Sequence, residues 1–216
     1  MQFELDIPED IGGTSAYLEV GGKYHATIVT VHEEKMPNSQ DDGSGFEQPI
    51  PGGFSITAEV LGGEQADKKF SLIFWGPKLD KPEDDKGNVW SRKKQAAFAI
   101  ACDLVKLDQL GKRVNIDLQD AVGAQVVVEL DIEEYTKRDG KKGKKPVMVW
   151  ANIFHVDDPR AKGAVMSDKL LASIPAENRH KPEYFDPITK RKSAAGSSAS
   201  ASLPATRVTD ADLDEI

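Results

Sequence analysis

The sequence predicts a mainly β fold: a small barrel of five strands that carries one helix and ends in a long polar tail. Three observations predict it. Segments of strand-like residues, alternating or β-branched, recur five times between turn-forming stretches. One segment after Ser91 switches to a helical period. Beyond Pro159 the texture changes, and residues 193–206 are low-complexity Ser and Ala that cannot form a core.

Residues 1–22 form an arm with two Gly-Gly pairs, able to add an edge strand. KYHATIVTVHEE (23–34) is the first strand, rich in β-branched residues. Residues 35–53 are rich in Pro, Gly, Asn and Asp and predict a long loop, a feature that in compact domains goes with function or disorder. In residues 54–63, Phe54, Ile56, Ala58 and Val60 alternate with Ser55, Thr57 and Glu59, the pattern of a half-buried strand. A turn past Gly62-Gly63 leads to a third strand at 68–76, with Phe70, Leu72 and Phe74 on one face. A polar loop follows at 77–90. Ala97, Ile100, Ala101, Leu104 and Val105 then share one face of a helix capped by Ser91. The fourth strand (124–138) buries Val126, Val128, Leu130 and Ile132. The fifth (145–158) is rich in β-branched and aromatic residues, and their connection turns at Asp139-Gly140.

Three strands, a helix and two strands make the order of a five-stranded Greek-key OB-fold barrel with its helix between strands 3 and 4. A sandwich needs more strands and leaves the helix unexplained. The expected division is an arm at 1–22, a barrel domain at 23–160, a flexible linker at 161–206 and an acidic tip at 207–216, the last two forming a disordered tail.

A net charge of −8 argues against a protein that coats duplex DNA by bulk charge, but leaves room for a local basic groove. The single cysteine, Cys102, excludes an intrachain disulfide and suits a reducing cytoplasm. It lies in an apolar run and reads as a buried small hydrophobe rather than a nucleophile. The N-terminus lacks the apolar core of a signal peptide, and no apolar stretch is long enough to span a bilayer. A cytoplasmic protein with no membrane partner is expected. His25, His32, His155 and His180 are dispersed, outside any metal-ligand spacing with Cys102. No phosphate-binding glycine loop and no Ser or Cys nucleophile motif appears. Asp84-Asp85 and Asp157-Asp158 are adjacent acids of the kind turns contain. The expectation is a binding protein without catalysis, cofactor or metal.

Three constellations carry chemistry. Lys137, Arg138, Lys141, Lys142, Lys144 and Lys145 crowd the tip of the last hairpin. Charge runs are ordinarily solvated faces, yet this loop is one that OB-folds use for oligonucleotides. Among the aromatics, Trp75 and Tyr135 fall out of phase with their strands' core residues and face outward, able to stack bases. Trp90 stands just ahead of Arg92, Lys93 and Lys94 at the expected helix start, where free N–H groups favour phosphate. It also suits a staple holding the helix to the barrel. Phe54 and Trp150 are assigned to the core. In the C-terminal tip, Asp210, Asp212, Asp214 and Glu215 interleave with Leu213 and Ile216. This pattern suits a partner with a basic, apolar pocket, and equally a solubilising acidic end.

Gly22, Tyr24 and Ile28, then Glu59, Val60, Gly63, Lys69, Phe70, Phe74 and Trp75, followed by the helix, resemble phage- and prophage-encoded OB-fold single-stranded-DNA-binding proteins over residues 20–156. The resemblance implies non-specific coating of single-stranded DNA during replication and recombination, with partner proteins recruited through the acidic tip. Such tails commonly end in an aromatic residue; this one ends in Ile216. The alternative is an interaction adaptor or phage assembly component that uses the barrel as a docking surface, its basic loop meeting an acidic protein. Oligomeric state is left open by the sequence.

Overall fold

Alternation places the side chains of the strands. In β3 (Lys69–Phe74), Phe70, Leu72 and Phe74 are buried while Lys69, Ser71 and Ile73 are exposed. Opposite them on β2 (Glu47–Val60), Ala58, Ile56 and Phe54 pair in that order and are buried too. Ala26 and Ile28 of β1 (Gly22–Pro37) and Val126, Val128 and Leu130 of β4 (Gln125–Thr136) extend the same core. α1 (Lys86–Ala101) follows β3, and its Phe98 ring lies 5.1 Å from both Phe54 and Phe74, themselves stacked at 4.7 Å. β5 (Lys142–His155) completes the strands. The structure, a computed structural model, describes residues 17–37, 47–136 and 140–189, with the backbone alone at 35–37 and 47–51.

The five strands form one antiparallel sheet in the order β3-β2-β1-β4-β5. It is open, not the closed barrel the sequence predicts. Among the described residues no ladder joins β3 to β5. Part of the outer edge of β3 is taken instead by residues of the arm: Tyr17 bridges Lys69, and the Leu18 N–H donates to the Lys69 carbonyl at 2.8 Å. Pro146, with no N–H to give, lies in edge strand β5. Of the arm, residues 1–16 lie outside the described residues.

Two boundaries move for local reasons. α1 begins at Lys86, ahead of Ser91, because Asp85 is the N-cap and its carboxylate accepts from the Gly87 N–H at 2.9 Å. Buried Asn88 then ties the preceding loop to the helix. Its Oδ1 accepts from the Lys78 N–H, and its Nδ2 donates to the carbonyls of Lys78, Lys81 and Pro82. α1 ends at Ala101, and Asp103 takes a left-handed φ of 59°, so Leu104 and Val105 fall outside the helix. The loop expected at 35–53 is shorter. Lys35, Met36 and Pro37 pair with Pro49, Gln48 and Glu47, a backbone ladder that needs no apolar alternation. Residues 38–46 lie outside the described residues.

The segment expected to be a flexible linker is folded over its described residues, 161–189. It contains α2 (Asp168–Leu171) and several short 3-10 turns. The reason lies in β4. Val126, Val127 and Val128 are all buried, so both faces of the strand need cover. Ala161, Ala164 and Met166 pack with Val127 and Phe154 on the second face. Buried His25 shares that face. Gln125 Nε2 donates to the Leu170 carbonyl and to Ser173 Oγ, which turns Gln125 Oε1 toward His25 Nε2 at 3.0 Å. His25 Nδ1 is left buried without a partner. Further on, Arg179 clamps the Asp157 carboxylate, His180 Nε2 bonds Asp103 at 3.1 Å, and the Phe185 ring is fully buried beside His155. Buried Cys102 shares a cavity of about 330 Å³ with His155, Ile174, Pro175 and Asn178. Packed structure therefore continues past the expected boundary at 160 through the described residues to 189. Residues 190–206 and the tip 207–216 lie outside the described residues. Among the described residues no helix is long and apolar enough to cross a membrane.

Candidate nucleic-acid interface

Where the sheet stays open, a groove of about 740 Å³ runs between residues 17–19, Ser71 of β3 and the β4–β5 hairpin. Tyr17 and Tyr135 supply aromatic surface, Lys142, Lys144 and Lys145 supply positive charge, and Glu19 and Glu134 oppose it. These three lysines stand on strand β5, not at the hairpin tip. Thr136, Tyr135, Glu134 and Glu133 pair in turn with Lys142, Gly143, Lys144 and Lys145, so the ladder fixes the spacing of the charges. A strand with both faces in water needs no apolar alternation, which is why the sequence reads as a loop here.

Lys145 Nζ lies 5.9 Å from the Tyr135 ring centroid and 3.1 Å from Glu133. Lys142 reaches Glu134 at 3.8 Å. Both pairs are exposed, and such pairs contribute only ~0–1 kcal/mol, so an incoming phosphate can replace them. Among the described residues Lys144 has no ion-pair partner. Lys141 is exposed but does not line the groove. Lys137 and Arg138 lie outside the described residues.

The other predicted residues gather elsewhere. Trp90 is exposed on α1, with Lys93 Nζ 5.3 Å from its centroid. Arg92 is committed to the preceding loop through the Glu83 carbonyl at 2.7 Å and the Glu83 carboxylate. Because α1 starts at Lys86, residues 92–94 sit inside the helix, and the free N–H groups expected beside them for phosphate are not there. Trp75 lies just past β3, exposed, with its carbonyl accepting from Gln95 Nε2 at 3.2 Å. It is not among the groove residues.

Phe54 is buried as predicted, but Trp150 is not a core residue. It is 68% exposed and has a left-handed φ of 54°. Residues 149–152 form a bulge: Met148 faces Leu130 and Ile153 faces Val128, leaving four residues of β5 opposite Glu129. Asn152 Nδ2 pins the bulge by donating to Glu129 Oε2 at 3.0 Å. The extra residues change the facing of the strand, so alternation read through them fails. A non-glycine residue held at left-handed φ costs ~1–3 kcal/mol. The Trp150 ring meets Trp90, centroids 5.5 Å apart. Sequence reasoning also missed Tyr17; its bridge to Lys69 is a long-range contact that no local pattern announces.

Among the described residues no cluster of three or more His, Cys, Asp or Glu gathers to hold a metal. No protein-family model and no curated protein matches this chain.

Proposed function

We propose that this chain binds single-stranded DNA without sequence preference, on an open five-stranded sheet of OB-fold type whose ligand surface is the groove between β3 and the β4–β5 hairpin. The observation that carries the reading is the joint presence of Tyr17, Tyr135, Lys142, Lys144 and Lys145 along one groove. Lysines spaced by a strand ladder track the sugar-phosphate backbone, while aromatic rings accept any base on their π-faces. The strand order β3-β2-β1-β4-β5, with the helix after β3, suits the OB-fold reading. In this reading the protein coats single strands during phage replication and recombination in the host cytoplasm. The tip, through Asp210, Asp212, Leu213, Asp214, Glu215 and Ile216, recruits partner proteins and competes with DNA for the lysines.

The test is anisotropy titration of labelled poly-dT at low and high salt. It compares the intact chain, the Lys144→Ala/Lys145→Ala variant and a chain ending before Arg207. The intact chain is expected to bind with a steep salt dependence. Each lost phosphate contact removes ~0.7 from the logarithmic salt slope, so the double variant should lose up to ~1.4. The shortened chain should bind more tightly. Absence of binding at low salt by all three would overturn the reading and leave the groove to an acidic protein partner.

A further inference from the structure

We infer that Trp150 and Trp90 form a second base-stacking station, distinct from the lysine groove, for the same single strand. The inference rests on the reading of the chain as a single-strand binder. Three features of Trp150 point to a built display. Its backbone takes a conformation that side chains rarely adopt. The bulge is tied in place by Asn152 and Glu129, with in-register pairing on both sides. The ring emerges 68% exposed, the most open aromatic side chain among the exposed apolar residues. A backbone outlier that the surroundings hold in place is the kind of feature that marks a ligand clamp.

The neighbours identify the ligand class. Trp90, on a different element, meets the Trp150 ring and fixes its orientation. The two rings touch, so a base stacks on the free surface of Trp150 while Trp90 backs it. Lys93 lies over Trp90, and among the described residues neither Lys93 nor Lys94 has an acidic partner. An exposed aromatic surface flanked by uncommitted cations fits a nucleobase with its phosphate. Trp150 follows Lys145 on β5 by five residues, ~16 Å of strand at most, so one strand leaving the groove can reach it.

The variant that tests this is Trp150→Gly. Glycine adopts the left-handed φ freely, so the fold should melt at or above the parent temperature. Any lost binding then belongs to the ring. Expected is a loss of affinity for long poly-dT of roughly 5- to 150-fold, the range for one stacked base, with an unchanged salt slope. Trp150→Phe should recover part of it. In parallel, Lys144→Ala/Lys145→Ala should flatten the slope. If Trp150→Gly binds like the parent while the lysine variant is weakened, the station is wrong and the groove stands. If the parent binds no oligonucleotide, both fall. If Trp150→Gly lowers the sedimentation coefficient and leaves DNA affinity unchanged, the patch is a protein contact and the inference is overturned.

Discussion

His25 and His155 are buried as neutral rings, and their hydrogen bonds say which nitrogen holds the proton. His155 Nε2 donates to the Asn178 carbonyl, and Nδ1 accepts from the Asp157 N–H. His25 Nε2 donates to Gln125, and its bare Nδ1 has no acceptor awaiting a second proton. Burial lowers the pKa of both; for His155 the Asp157 carboxylate opposes the shift, and for His25 the bond to Gln125 does. The sign of the linkage follows. The unfolded chain takes up these protons near the ordinary pKa of about 6.5, before the folded chain does. Stability from this source is therefore complete above about pH 6.5 and declines as the pH falls toward the lower folded-state values. Thermal melts between pH 7.5 and 5 should show a falling midpoint, and His25→Asn should flatten that fall. At Phe98 the expectation is simpler. Replacing a ring packed on Phe54 and Phe74 by Ala should cost ~3–5 kcal/mol in denaturant unfolding. That Phe54, Phe70 and Phe74 are core was legible because a strict two-residue period leaves one choice of face. Trp150 was illegible because four bulge residues erase that period.

The first turn of α1 is set by two side chains, and each makes a separate prediction. Asp85→Ala removes the cap and should cost ~1 kcal/mol. Asn88→Asp keeps the shape of the side chain but turns a negative oxygen toward the carbonyls of Lys78, Lys81 and Pro82. It should destabilise at least as much as Asn88→Ala, whose cost of ~1–3 kcal/mol comes from unpaired buried polar groups. Hydrogen exchange would show the loss concentrated at residues 78–90. Ser91 misled because a serine ahead of an apolar-periodic run suits an N-cap, whereas the true start is fixed by the Asp85 cap and by contacts to a loop up to ten residues upstream. β4 carried the opposite kind of signal. Three consecutive valines announce a strand covered on both faces, and that reading would have called for a further packed segment without naming it. On the β4–β5 hairpin the identities of Lys142, Lys144 and Lys145 were plain, but their setting on a strand was not, since charged side chains suit an exposed edge as well as a loop.

Over the whole molecule, the sheet has one face closed by α1 and the other closed by the segment after β5. A chain ending at residue 160 would expose Val127, Phe154 and Phe185's former site together, and it should precipitate or melt far below the parent. A chain ending at residue 189 should keep the parent midpoint; a loss there would mean that the packed unit reaches further. The succession of three strands, a helix and two strands was legible because each announced itself locally. Whether the sheet closes was not, since that depends on what occupies the outer edge of β3, and the arm was expected to add an edge strand without any sign of which edge Tyr17 and Leu18 would take. The cover over the second face has one more consequence. Cys102, the chain's only thiol, is buried in the core on the α1 side and borders a cavity that Ile174, Pro175 and Asn178 of that segment also line, and burial pushes its pKa far up. A disulfide reagent can reach it only while that region is ajar. When reclosing is fast, the labelling rate measures the fraction of molecules open at any instant. The protein thus carries its own stopwatch for local breathing, readable in native chains without an engineered probe.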